Sequence, residues 1–298
     1  MMREFYFENK GQKIHGCAFE VENPRTSLMI IHGISEHIKR YEDFAEFLNE
    51  KGISVYGIDL RGHGQSVRSE RGLGDFYSYD FLDDIVDDLR RVFESMPRDK
   101  ARFILGHSMG SFILKYYMAS YDDMDGAIFS GTGSLKEVEA RGLGLIAKLI
   151  CLGGNKKRSQ VLNSLLMGRY SRAIKNRKTD LDWLSYDEDN VKSFAEDPYC
   201  GKALTNRSYK VFSKAMLKII NADYKNTRKD LPLGFYSGAE DPVGDFAKGV
   251  HQEIKRFKHE GFENIRAKIY DKMRHEILNE REKRIVYYDI LNFMEDLI

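Results

Sequence analysis

The stretch GHSMG, residues 106–110, sets Ser108 between two glycines, each two positions away. It follows an apolar run, RFIL, and precedes SFILKYYMAS, whose composition and spacing predict a helix. A serine at such a strand-to-helix turn sits in a sharp, strained bend that leaves no room for a Cβ at Gly106 or Gly110, and the helix start behind it favours developing negative charge. The chemistry on offer is attack of the hydroxyl on a carbonyl carbon. The plainer reading is a glycine-rich connection holding an incidental serine. Partners decide between the two, because a seryl hydroxyl at neutral pH needs a base, and the base needs an orienting acid.

In a strand–helix architecture these partners are expected in the order Ser, Asp or Glu, His, each in a loop beyond the C-terminal end of a later strand. GFYSGAEDPVGD puts Asp241 just past a strand ending near Gly238, with Pro242 stiffening the turn, and IYDKMRHEILNE puts His275 just past a strand ending near Tyr270. Glu240 and Asp245 are rival candidates for the acid. Of the eight histidines, His251 and His259 fall in a predicted helix, while His32, His63 and His107 precede or adjoin Ser108; His275 has the expected order and setting. The developing oxyanion also needs donors. The backbone N–H of Met109 is one, and the second is expected from HGISEH, residues 32–37, with Ile34 as donor.

The elements that must position these residues are legible in outline. REFYFEN and KIHGCAF flank a turn-like KGQ and predict a leading hairpin. Short apolar runs at 28–32, 53–59, 102–107, 126–131, 231–238 and 265–271 read as buried parallel strands. Between them, 41–52 gathers Tyr41, Phe44, Ala45 and Leu48 on one helical face, and 80–97 gathers Leu82, Ile85, Leu89, Val92 and Met96 on another. Alternating strands and helices predict a mostly parallel sheet covered on both faces, with ligands beyond the strands' C-terminal ends. The alternation lapses from 132 to 230, where only helical spacing is found. The expected organisation is therefore a core of residues 1–131 and 231–298, split by a helical cap of residues 132–230, with a last helix near 281–297.

Composition narrows the function classes. With 298 residues, 42% of them hydrophobic, the chain can bury a sizeable core. A net charge of +1 gives no global field toward nucleic acid, which is not expected as a partner. Three dispersed cysteines, Cys17, Cys151 and Cys200, fit neither a disulfide framework nor a structural zinc site, and suggest a reducing, cytoplasmic setting. MMREFYFENK has the pattern of neither a signal peptide nor an anchor. GLGLIAKLICLGG, residues 142–154, is too short to span a bilayer; it reads either as cap core or as the lining of an acyl tunnel or a lipid-facing surface. The eight lysines and arginines among residues 155–178, uninterrupted by an acid, read as a solvated face or as a site for an anionic head group or membrane face.

Five ordered segments, HGISEHIKRY, GIDLRGHGQS, GHSMG, SGAEDPVGD and RHEILNE, resemble the monoacylglycerol lipase and lysophospholipase branch of the α/β-hydrolase family, also grouped with serine aminopeptidases. The resemblance implies the α/β-hydrolase fold, with Ser108 as nucleophile, Asp241 as acid, His275 as base, and Ile34 and Met109 as oxyanion donors. It implies a loop-shaping role for Gly64. Ser111 departs from the second glycine many relatives carry after GxSxG. The expected activity is hydrolysis of a carboxylic ester of a single-chain lipid, with a lipid or small ester as partner, transient membrane contact through the cap, and no metal or organic cofactor in the chemistry. No HExxH spacing accompanies HEILN or SEH, and GTGSLK lacks the last glycine of a dinucleotide fingerprint. The alternatives are a peptidase, a small-ester esterase or a thioesterase on the same triad, or a binding protein on a hydrolase fold.

Overall fold

The structure is a computed structural model describing residues 2–298, apart from the side chain of Glu70. The predicted hairpin is β1 (Met2–Asn9) and β2 (Gln12–Phe19), paired antiparallel from Asn9 opposite Gln12 outward. Its two-residue turn takes φ +48° at Lys10 and +70° at Gly11, the mirror-image turn whose twist matches that of the strands. The predicted parallel strands are β3 (Thr26–Ile31), β4 (Ile53–Ile58), β5 (Ala101–His107), β6 (Gly126–Ser130), β7 (Leu233–Gly238) and β8 (Ile265–Tyr270). Together they make one eight-stranded sheet in the order β1-β2-β4-β3-β5-β6-β7-β8, parallel from β4 to β8. β2 joins antiparallel to β4, so the hairpin extends one edge.

Helices cover both faces, and the pleat decides which residue serves which. In β3, Leu28 and Ile30 pack with Phe44 and Leu48 of α1 (Glu42–Asn49) and Ile290 of α10 (Lys283–Glu295), while Met29 and Ile31 pack with Ile85 and Leu89 of α2 (Phe81–Ser95) and Ile113 of α3 (Met109–Ser120). A strand buried on both sides thus reads as an unbroken apolar run. The helical faces expected at 41–52 and 80–97 are buried residue for residue.

Between β6 and β7 the chain forms α4 (Glu137–Ile150), α5 (Gln160–Leu166), α6 (Gly168–Ala173), α7 (Glu188–Glu196) and α8 (Asn206–Ile220), with no strand among the described residues. This segment is not uniform. Ala140, Leu143 and Ala147 of α4 and Phe212 and Ala215 of α8 belong to the same apolar cluster as α2 and α3, whereas Ile174, Trp183, Leu184, Phe194 and Cys200 make a small cluster of their own. Within GLGLIAKLICLGG the side chains divide: Leu143 and Ala147 are core, as the first reading expects, while Leu145, Leu149 and Leu152 are exposed. A last helix before β8, α9 (Lys248–His259), contains His251 and His259 as predicted. All three cysteines are free; Cys17 and Cys200 are buried, and Cys151, just after α4, is partly exposed. Among the described residues, no helix is long and apolar enough to cross a membrane.

Candidate active site

Ser108 stands between the end of β5 and the first residue of α3 with φ +52° and ψ −119°, a left-handed conformation costly for a residue with a Cβ. The neighbouring glycines explain how the bend is packed. A Cβ on Gly106 would lie 2.5 Å from the Gly110 carbonyl oxygen, and one on Gly110 would lie 2.0 Å from that of Ile31. The turn is fastened from behind: Ser108 N–H donates to Ser130 C=O (2.9 Å), and the Ser111 hydroxyl donates to Ser108 C=O (2.6 Å). The serine that replaces a second glycine therefore braces the turn.

Of the three candidate acids, Asp241 is the one the fold brings to His275. His275 Nδ1 donates to Asp241 Oδ2 over 3.0 Å, and Asp241 Oδ1 accepts the Val243 N–H (2.8 Å), which aims the carboxylate. Glu240 accepts instead from the Tyr186 hydroxyl. Asp241 is fully buried, His275 is 2% exposed and Ser108 8% exposed. Burial alone would favour a neutral His275 ring. The charge and hydrogen bond of Asp241, with Glu276 and Glu36 nearby, outweigh it and lift the pKa above the ordinary histidine value. A carboxylate can only accept, so Nδ1 carries the proton and a neutral ring keeps a lone pair on Nε2.

The imidazole lies between two other rings, with centroids 4.8 Å from His107 and 5.0 Å from Trp183. Burial, and then the His275 charge, drop His107 to about 4, so it stays neutral. Gly131 makes the room, since a Cβ there would lie 2.9 Å from His107 Cε1 and 3.0 Å from His275 Cε1. Both expected oxyanion donors belong to segments that adjoin Ser108. Met109 is the first residue of α3, and Ile34 follows Gly33, whose added Cβ would come within 3.1 Å of Ser108 Cβ. Neither N–H has an acceptor among the described residues.

Gly64, in GIDLRGHGQS, has φ +46°, and a Cβ there would press to 2.1 Å from Asp59 Oδ2. Asp59 in turn accepts from His15 Nδ1 (2.8 Å) and the N–H groups of Ile38 (2.9 Å) and Gln65 (2.7 Å), which holds the loop carrying Ile34 against β4. His37, Asp197 and Cys200 bring ligand-type atoms within 4.8 Å of one another. His37 Nε2 is already bound to Asp197 (2.8 Å), and burial pushes the Cys200 thiol well above its usual range, so the trio is first a contact between loop and helix end.

Sequence reasoning missed the residues that frame the candidate triad. Trp183 and Leu184 offer their carbonyls to the N–H groups of His275 (3.4 Å) and Glu276 (2.7 Å). Arg40, its side chain largely covered, grips Glu276 at 2.6 and 2.8 Å, Glu36 at 2.9 Å and Asn190 of α7 at 3.0 Å. The available signal was Glu36 and Arg40 at i,i+4 in HGISEHIKRY, together with a carboxylate directly after the candidate base.

A family profile described as serine aminopeptidase, S33 matches residues 22–282. The chain belongs to that family. This S33-family hydrolase is 25% identical over 279 residues to a monoacylglycerol lipase of Mycolicibacterium smegmatis, covering 91% of the chain and 89% of that protein. It is likewise 25% identical to phospholipase YtpA of Bacillus subtilis, covering 94% of the chain and 99% of that protein. Among solved structures, a thermostable carboxyl esterase from Bacillus coagulans in complex with glycerol superposes with a TM-score of 0.89 at 27% identity, covering 99% of this chain and 98% of that one. A monoglyceride lipase from Saccharomyces cerevisiae in complex with a substrate analogue superposes at 0.76 and 21% identity, covering 98% of this chain and 94% of that one, and attests the fold. The α/β-hydrolase fold expected from the sequence is the one observed.

Proposed function

We propose that this hydrolase cleaves carboxylic esters of single-chain lipids, monoacylglycerols or lysophospholipids, through Ser108, His275 and Asp241. The observation that carries the reading is the 3.0 Å His275–Asp241 hydrogen bond, made beside a serine held at positive φ. In the reaction, Nε2 of His275 takes the Ser108 proton as Oγ attacks the ester carbonyl. Asp241 holds the ring's tautomer and stabilises the imidazolium. The N–H groups of Ile34 and Met109 receive the oxyanion, His275 protonates the leaving alcohol, and a water activated by the same ring releases the acyl group. Every proton in this route is moved by His275, so the chemistry calls for no metal or organic cofactor.

Three observations support a lipid. The named activities of the full-length relatives are a monoacylglycerol lipase and a phospholipase. Val138, Leu145, Leu149 and Leu152 form an exposed apolar stripe along and just past α4, suited to transient contact with a lipid surface. A cavity of about 410 Å³ runs from Ser35, next to Ile34, to Trp183, with Arg172, Arg177 and Lys202 against the single carboxylate of Asp180 in its lining. That charge suits a phosphate-bearing head group. In this reading residues 132–230 are the cap that shapes the acyl and head-group sites, and free thiols suit a reducing, cytoplasmic setting. The family description favours a second reading, hydrolysis of an amino-terminal peptide bond.

Acyl release from monoacylglycerols, lysophosphatidylcholines, short p-nitrophenyl esters and aminoacyl amides, with Ser108→Ala alongside, tests the proposal. The expected result is preference for a single-chain lipid, with turnover falling at least about 1,000-fold in the variant while folding is unchanged. Preference for acetyl esters or amides overturns the lipid, and wild-type turnover in Ser108→Ala overturns the triad.

A further inference from the structure

Both halves of the proposed reacting geometry hang on one guanidinium. Toward the oxyanion loop, Arg40 Nη1 donates to Glu36 Oε2 (2.9 Å), and Glu36 Oε1 accepts the Tyr41 hydroxyl (2.9 Å) and the N–H of Gly33, the peptide before Ile34. Toward the base, Arg40 donates twice to Glu276 (2.6 and 2.8 Å), the residue after His275. Asn190 closes the ring by accepting from Arg40 (3.0 Å) and donating to Glu276 Oε2 (2.8 Å), and Phe194, one turn further along α7, lies 4.8 Å from the guanidinium carbon. The side chains of Arg40, Glu36 and Glu276 are 9%, 4% and 3% exposed.

We infer that Arg40 and Glu276 are positioning residues that set the Ile34 N–H and the His275 ring in register across Ser108, and that Asn190 ties α7 into the same clamp. The inference rests on the roles given above to Ile34 and His275. Three buried charges are a poor way to gain stability, because apolar side chains of similar size hold a core equally well or better. What a two-pronged guanidinium–carboxylate pair adds is direction, since its two parallel hydrogen bonds fix angle as well as distance. Direction is what the reaction needs. A misplacement of about 1 Å at a reacting group costs on the order of 100-fold in rate. The chain runs without a break from Arg40 through Glu36 and Gly33 to the Ile34 donor, and from Arg40 through Glu276 to the base.

The test uses the full chain with Glu276→Gln, Arg40→Met and Asn190→Ala. Each is assayed below its own melting temperature on a water-soluble p-nitrophenyl ester and for labelling of Ser108 by a small fluorophosphonate. Glu276→Gln is the deciding variant, because Arg40 keeps Glu36 as counter-ion and Gln keeps the shape. Its kcat is expected to fall about 10- to 100-fold with KM within about 2-fold, and its labelling rate to fall in parallel. Asn190→Ala is expected to lose less, about 2- to 5-fold, with the same split. A folded Glu276→Gln enzyme with unchanged kcat and labelling, even at lowered melting temperature, overturns the inference, whatever becomes of Arg40→Met. Failure of the wild-type protein to label at Ser108 is a different result, and takes down the site assignment on which the inference stands.

Discussion

Two stretches of the segment between β6 and β7 treat the site in opposite ways. Residues 182–201 are bound to the loops that hold the triad by directed polar contacts: Asp182 C=O accepts from Arg274 (2.6 Å), Leu184 C=O from Glu276 N–H (2.7 Å), Ser185 donates to Glu280 (2.7 Å) and Gly201 N–H to Ser35 C=O (2.9 Å). The α4–α5 stretch leans on α8 through apolar side chains and turns Leu145, Leu149, Leu152 and Val161 outward. The first stretch packs on the candidate site as a wall, and the second carries an exposed apolar face. Both lie in one insertion without strands, so helical spacing alone does not tell wall from face; hydrogen-bond partners do.

The largest effect is expected where the wall meets the triad. Asp241→Asn should lower kcat on ester by about 10,000-fold with little change in secondary structure, because the amide can turn an N–H toward Nδ1 and leave the wrong tautomer. Steady-state kinetics with circular dichroism check it. Next comes Trp183→Ala, which removes a buried ring packed at a tilt against His275; denaturant unfolding should show a loss of about 3–5 kcal/mol, and kcat should fall on every substrate whatever its chain length. A fall confined to long acyl chains would place Trp183 with the outer face instead.

The pH profile sharpens the same contrast. His275 must be neutral to accept the Ser108 proton, and its pKa is raised above 6.5, so kcat/KM should fall as pH drops through a midpoint above 6.5. An acid limb below 6.5 would mean that burial outweighs Asp241. The smallest effect belongs to the outer face. Replacing Leu145, Leu149 and Leu152 together by Ser should leave soluble-ester turnover within about 2-fold and stability within about 0.5 kcal/mol per site, while hydrolysis of lipid presented in vesicles drops several-fold. Equal losses on both substrates would erase the distinction between the two stretches.

Much of the core was legible because backbone demands write themselves locally. Gly106 and Gly110 flank Ser108 because neighbouring carbonyls fill the space a Cβ would need, and chain order and strand ends singled out Asp241 and His275, the pair the fold joins by a hydrogen bond. The network around Arg40 left only a faint signal, for the opposite reason. Arg40, Asn190 and Glu276 are far apart in the chain, and each alone looks like a solvated polar residue; only tertiary packing buries and joins them. Trp183 carried no cue either, since the surrounding RKTDLDWLSYDEDN is dominated by polar residues and has no regular apolar periodicity to read. The split within 142–154 could have been anticipated from helical spacing, which puts Leu145, Leu149 and Leu152 apart from Leu143 and Ala147.

The free thiols give the experimenter a handle. Burial pushes the Cys17 thiol up to about 12 and lifts that of Cys200 further, so neither offers a thiolate to an alkylating reagent at moderately alkaline pH. Cys151 is partly exposed and sits one residue before Leu152, at the end of the outer apolar stripe. A polarity-sensitive dye attached there, far in sequence from the loops of Ser108 and His275, would brighten if that stripe meets lipid, and so would read the proposed surface contact separately from the chemistry.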